Sequence, residues 1–201
     1  MSITTERDRI GQVHRVTRET DVTVRIDLDG PINSECRTGV PFLDHMLDQV
    51  AHHGRMDLQI AARGDVEIDD HHTVEDVGIT LGQAIAAAAG DKSGIRRAAS
   101  FMMPMDDALV LVALDLSGRP FLEFNLDLRE RRVGLFDGEL VVEFFRALAV
   151  NAGMTLHIRQ MAGQNAHHII EAAFKAFARA LDEATQRDER ISGVPSTKGI
   201  L

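Results

Sequence analysis

The chain writes one short pattern twice, His71-His72-Thr73-Val74-Glu75 and His167-His168-Ile169-Ile170-Glu171, and the surroundings of the two copies repeat as well. From Asp21 to Asp29, Val22, Val24, Ile26 and Leu28 alternate with polar residues, which is the period of a half-buried strand. Ala108 to Leu116 reads the same way, and Ile26-Asp27-Leu28-Asp29-Gly30 matches Leu114-Asp115-Leu116-Ser117-Gly118. Apolar residues at helical spacing follow in each half: Phe42, Leu43, Met46, Leu47 and Val50, then Val141, Phe144, Phe145 and Leu148. Each of these stretches runs into a glycine, Gly54 or Gly153. A short alternating run, Met56 to Ile60 or Met154 to Ile158, then leads into the helix that carries the His-His-x-x-Glu pattern. The order strand, helix, strand, helix thus occurs twice. The predicted fold is α+β: an internal duplication of two similar β/α halves related by a pseudo-twofold, with sheets packed on helices. The reading is one domain over residues 1–201, with repeats at about 8–92 and 93–190 and a C-terminal tail, 191–201.

On a helix the first and fifth residues of the pattern share a face, as do the second and fifth. Two adjacent imidazoles, however, stand about 100° apart around the axis and diverge, so one pair is poorly placed to hold one ion. Two facing motifs more naturally cradle two metals. Imidazole and carboxylate donors without thiolate suit manganese, iron or zinc. Cys36 is the single cysteine, so thiol chemistry is not offered. Matching the halves pairs His45 with Glu143, and both residue types bind such metals.

Composition narrows the function class. A net charge of -9 with a pI near 5.4 disfavours a general nucleic-acid binder, which needs a basic surface. No segment reaches the roughly 20 apolar residues that span a bilayer, and Met1 to Ile10 is too charged for a signal peptide, so a cytoplasmic location is expected. The chain lacks Trp and Tyr, and Phe144-Phe145 reads as core packing, which makes stacking on a sugar or base a poor mode of recognition.

Four segments in order carry a family resemblance: Phe42-Leu43-Asp44-His45-Met46-Leu47, Asp69-Asp70-His71-His72-Thr73-Val74-Glu75-Asp76, Asn165-Ala166-His167-His168-Ile169-Ile170-Glu171, and Pro195-Ser196-Thr197-Lys198-Gly199. From about Arg7 to the last residue the chain resembles the imidazoleglycerol-phosphate dehydratases of histidine biosynthesis. That resemblance implies a dimanganese site with crossed ligation: His45, His72, His167 and Glu171 on one ion, and His71, Glu75, Glu143 and His168 on the other. Position 143 departs from the pattern, since His often stands there in the family.

The resemblance also implies the reaction, loss of water from imidazole glycerol phosphate to give imidazole acetol phosphate. No carbonyl acidifies the proton that must leave, so the imidazole ring serves as electron sink. Held as imidazolate between two Lewis acids, it expels hydroxide to a diazafulvene-like intermediate. Glu19 is the implied base, and His45 and Glu171 join it in the catalytic set. His53, Arg97, Arg119, Ser196, Thr197 and Lys198 are the implied substrate contacts, the cations gripping phosphate. By local pattern alone Glu19 belongs to a solvated charged run, Arg96-Arg97 to a basic turn, His52 to a helix cap and His157 to a strand. The tail, flexible by composition, is expected to fold over substrate from a neighbouring subunit, within a shell of about 24 subunits built from trimers. Two other readings use the same donors: a non-catalytic metal store, which needs neither Glu19 nor Arg97, Arg119 and Lys198, and a binuclear metallohydrolase, which usually draws Asp ligands from strand ends.

Overall fold

The computed structural model describes residues 9–128 and 132–199. The first half runs β1 (Ile10–Val16), β2 (Thr20–Asp27), β3 (Asn33–Arg37), α1 (Pro41–Gly54), β4 (Asp57–Gly64) and α2 (His71–Ala89). The second runs β5 (Ala98–Met105), β6 (Ala108–Asp115), β7 (Phe121–Asn125), a hairpin of β8 (Arg132–Val133) and β9 (Phe136–Asp137), α3 (Leu140–Ala152), β10 (Thr155–Ala162) and α4 (Ala166–Thr185). Each half lays four strands into one mixed sheet, β1-β2-β4-β3 and β5-β6-β10-β7.

Register shows how faithful the repetition is. Ile10 pairs with Asp27 as Ala98 pairs with Asp115, Asp27 with Asp57 as Asp115 with Thr155, and Asn33 with Asp57 as Phe121 with Thr155. In each sheet the parallel pair, β3 with β4 or β7 with β10, is bridged by a helix, as a parallel connection requires. The halves are thus α+β copies of one another. They differ most between the third strand and the next helix, where Thr38-Gly39-Val40 of the first half is replaced by a longer connection holding the β8–β9 hairpin.

The alternation in β2 and β6 is a burial pattern: Val22, Val24 and Ile26, like Val110 and Val112, are fully buried, while Thr23 and Arg25 turn outward. The outer strands β1 and β5 carried no such signal. The inward residue of β1 nearest its start is Gly11, where a Cβ would overlap the carbonyl of Ala84 in α2, so this strand is held by close backbone approach as much as by side chains. β5 buries no residue completely and tolerates Pro104 because it is a sheet edge.

The helices pack across the halves, α1 on α4 and α2 on α3, while α2 lies on the first sheet and α4 on the second. Phe144, Phe145, Phe174 and Phe177 form the aromatic centre, with the Phe145 and Phe174 rings 4.8 Å apart. Pro41 opens α1 at a position with no hydrogen bond to lose, and Arg55 closes it in the left-handed conformation. The side chain of Asn165 caps α4 by accepting from His167 N at 2.9 Å and His168 N at 3.4 Å.

Two glycines set the distance between α2 and α3. A Cβ on Gly78 would lie 2.6 Å from Phe144 O, and one on Gly82 2.6 Å from Leu148 O. Gly82→Ala gains about 1 kcal/mol of helix propensity. It also forces apart two backbones that cannot yield as a side-chain tip can, at a cost of about 1–3 kcal/mol. The clash wins, so urea unfolding of Gly82→Ala is expected to show a net loss of stability; a gain would mean that the helices are not held at this spacing.

Candidate metal centre

The His-His pairs stand at matching places, at the first turns of α2 and α4, and their ring centroids are 6.2 Å apart in both. The members of each pair diverge, as expected of neighbours on a helix. His71 and His167 face the glutamate four residues on, at 3.9 Å from Glu75 and 3.1 Å from Glu171. His72 and His168 turn to carboxylates outside the helix, Asp65 at 3.0 Å and Asp107 at 2.7 Å.

Because α1 crosses α4, His45 arrives beside the second motif. Its Nε2 lies 3.8 Å from Glu171, and its ring centroid is 6.0 Å from that of His167. The donor atoms of His45, His167 and Glu171 fall within 4.8 Å of one another, the one such group among the described residues. Phe42 packs edge-on to His167, and Phe136 from the hairpin packs on Phe42. Glu171 is buried, and its other oxygen meets Lys175 Nζ at 2.5 Å. Burial raises this carboxyl, but Lys175, with His167 and His45, outweighs that and keeps it below its ordinary pKa. Lys175 was not among the expected site residues, although a Glu and a Lys four apart on a helix was the available signal.

The matching place in the other half holds His71, Glu75 and Glu143. His71 and Glu143 line a common cavity of about 730 Å³ whose apolar wall is Phe124, Leu126, Leu128 and Val142. The Glu143 carboxylate pairs with Arg146 at 2.5 Å, one turn along α3.

Asp65 and Asp107 were likewise missed. Each accepts from an Nδ1, of His72 or His168, which fixes the tautomer that leaves Nε2 as the donor to a metal. Asp65 also raises the His72 pKa, since a carboxylate favours the imidazolium. Glu19, 3.9 Å from His72, occupies the place of Asp107 in the duplicated register. Asp106 approaches His168 Nε2 at 3.4 Å.

The phosphate candidates lie elsewhere. Arg97 holds Asp115 through two bonds of 2.6 and 2.8 Å and donates to Pro195 O at 2.8 Å, while Gly94 N donates to Gly193 O. The tail thus lies against the far end of α4, where Arg97 N bonds Ala184 O. Ser196 is half-buried and Thr197 and Lys198 are exposed; residues 200 and 201 of the tail lie outside the described residues. Arg119 is at the same end, its guanidinium on Ser117 O at 3.1 Å. His53 is on α1, two turns beyond His45. Its imidazole is held below its usual pKa by burial first and then by Lys175 and Arg179. His52 bonds Asp48 O within the helix, as a capping residue does. Burial pushes the Cys36 thiol up to about 12, which makes it inert.

The family model described as imidazoleglycerol-phosphate dehydratase matches residues 38–181, which include the His45 helix and both His-His motifs. The chain belongs to the imidazoleglycerol-phosphate dehydratase family. It is therefore an enzyme, a hydro-lyase. An imidazoleglycerol-phosphate dehydratase of Acetivibrio thermocellus is 60% identical over 194 residues, covering 96% of this chain and 100% of that one. A chloroplastic one of Arabidopsis thaliana is 56% identical over 96% of this chain and 72% of its own. The crystal structure of the Staphylococcus aureus enzyme superposes with a TM-score of 0.80 at 43% identity, covering 89% of this chain and 99% of that one. That of the Pyrococcus furiosus enzyme superposes with 0.82 at 40% identity, covering 94% and 100%. Among the described residues no helix is long and apolar enough to cross a membrane.

Asp107 anchors the entry to α4 by accepting from Gln164 N and Asn165 N as well as His168, and these bonds hold its carboxyl well below the usual range. A depressed folded pKa stabilises the fold above the unfolded value of about 3.9 and ceases to do so as pH falls through the folded value. Asp107→Ala is therefore expected to be less stable than the parent at pH 7, with the gap closing below about pH 4. Urea unfolding at both pH values checks this, and a gap independent of pH would assign the loss to packing instead.

Proposed function

We propose that the protein converts imidazole glycerol phosphate to imidazole acetol phosphate in histidine biosynthesis, in the cytoplasm, at a site holding two manganese ions. The observation that carries the reading is the convergence of His45, His167 and Glu171 in a chain of this family. Two imidazoles beside a buried carboxylate, three donors without sulfur, fit a divalent ion such as manganese. The ligand sets are His45, His72, His167 and Glu171 for one ion and His71, Glu75, Glu143 and His168 for the other, within one domain made of two repeats and a tail.

Each set is incomplete in one chain. His72 is turned to Asp65 and Glu19 rather than to the His45 cluster, so a complete set draws on a second copy. The phosphate site supports the same conclusion. His167 and Ala184 stand at opposite ends of α4, about 25 Å apart at 1.5 Å per residue. The three-carbon chain of the substrate, with bonds of about 1.5 Å, cannot join an imidazole at one end to a phosphate at the other. Arg97, Arg119, Ser196, Thr197 and Lys198 therefore serve the metal cluster of a neighbouring copy, in keeping with a homo-oligomer built from trimers into a shell of about 24 subunits.

When bound, the ions would supply Lewis-acid stabilisation of the imidazole ring as its anion, whose electron density could expel hydroxide from the adjoining carbon and be recovered as the next carbon loses its proton. The chain's own residues do the rest. Glu19 removes the proton from the glycerol carbon, hydroxide departs from its neighbour and leaves as water, and the resulting enol becomes the ketone. Lys175 keeps Glu171 ionised and available as a ligand. His53, beside Lys175 and Arg179, meets the substrate beyond the ring. Arg97, already oriented by Asp115 and Pro195 O, presents a fixed cation to the phosphate.

Metal-stripped protein is expected to make no keto product from imidazole glycerol phosphate and to recover turnover on addition of manganese. Glu19→Gln is expected to lower kcat by about 10²- to 10⁴-fold, the range for loss of a general base, with metal content unchanged. Tight manganese binding without product would favour a metal store and sink the reading.

A further inference from the structure

The two halves repeat the metal-binding helices but not their charges. In the duplicated register His45 corresponds to Glu143, His167 to His71, Glu171 to Glu75 and Lys175 to Ile79. The set built on His45, His167 and Glu171 contains one carboxylate, and Lys175 already occupies one of its oxygens at 2.5 Å. That set is rich in nitrogen, and an internal cation offsets its only anion. The set built on His71, Glu75 and Glu143 contains two carboxylates. The helix offers Ile79 where the other offers Lys175, and the cation on Glu143 is Arg146, whose side chain is 55% exposed. That set is richer in oxygen and more anionic, and it borders a cavity of about 730 Å³.

We propose that the two metal positions differ in selectivity: the Glu143 position prefers a hard ion such as manganese, the His45 position a borderline ion such as zinc, and Glu143 with Lys175 sets the difference. This rests on the two ligand sets of the preceding subsection. The physical ground is donor type. Carboxylate oxygen suits manganese, imidazole suits zinc, and zinc outcompetes manganese at a site whose geometry does not discriminate. Lys175 also occupies one oxygen of the lone carboxylate, which leaves that set with less oxygen to offer manganese.

The test uses the full chain, stripped and reloaded with manganese, with metal content counted by elemental analysis. Zinc is then titrated in, and released manganese is read from the spin-resonance signal of the aqueous ion. The expected result is two steps, one ion released at low zinc and the second held to higher zinc. Glu143→His makes the donor sets alike and is expected to bring the steps closer, leaving only the gap that Lys175 maintains. Glu143→Gln, which keeps the shape and removes the charge, moves the second step to lower zinc. Lys175→Met moves the first to higher zinc and is read independently of position 143. Release of both ions together from the parent protein, or two unmoved steps in the position 143 and 175 variants, overturns the proposal. Fewer than two manganese ions per chain before any zinc is added overturns the two-ion reading itself, and that outcome is seen before selectivity is measured.

Discussion

The crossing of α1 over α4 is the contact on which the candidate site depends, because it joins helices from opposite halves. Neither half holds the His45, His167 and Glu171 cluster: α1 supplies one imidazole, and α4 supplies the other with the carboxylate. The packing that sets the crossing is apolar and lies on the side of each helix turned into the core. Leu43, Met46, Leu47 and Val50 line the buried side of α1, and Ile170, Phe174, Phe177 and Leu181 that of α4. Within that layer α2 and α3 approach through Gly78 and Gly82, whereas α4 has Phe174 and Ala178 at the corresponding places. The pseudo-twofold is therefore accurate in the sheets and approximate among the helices. A ligand donor displaced by 1 Å is a poor ligand, so the core works as a positioning device as well as a source of stability.

Duplication supplied two copies of a metal-binding helix, and their divergence is concentrated at few places. Lys175 stands where the other half has Ile79, Glu143 where it has His45, and the hairpin lies between β7 and α3 only. The hairpin ties the two sites together: Phe136 stacks toward Phe42, which edges His167, while the connection around it lines the cavity of His71 and Glu143. One inserted segment thus reaches the His45 cluster through Phe42 and shares a cavity wall with His71 and Glu143.

Much of this was legible in the sequence because it is periodic. Val22, Val24 and Ile26 alternate, the four helices show their apolar stripes, and the motifs recur with their flanking elements in order. What escaped was held by close backbone approach or by pairing between elements. β1 turns Gly11 inward where a pattern search wants a large apolar residue, and β5 is an edge strand with its apolar side only partly covered. Lys175 was not singled out, since its surroundings are set partly by another element, which brings Met105 Sδ to 3.6 Å from its Nζ. Asp65 and Asp107 lie in loops, where a carboxylate has no periodic context, and only the fold sets them against His72 and His168. The tail is flexible by composition, yet through residue 199 it is tied down by Arg97 and Gly94.

The proposed anion-binding and metal-binding groups stand at opposite ends of α4, and this has a consequence for how the chain would work. A site assembled within one chain could tune both groups on one scaffold, but here the helix itself keeps them about 25 Å apart. A single copy then presents the candidate metal ligands without the arginines proposed for phosphate, and those arginines without the ligands. On the proposed reading, activity requires the end of one α4 to meet the start of another, so turnover and assembly become one equilibrium. An ion bound between ligands from two copies strengthens that contact, since anything that binds the assembled state alone stabilises it by mass action. The proposed sites would thus couple metal loading, subunit contact and completion of the phosphate site for this geometric reason, with no conformational switch needed inside the chain.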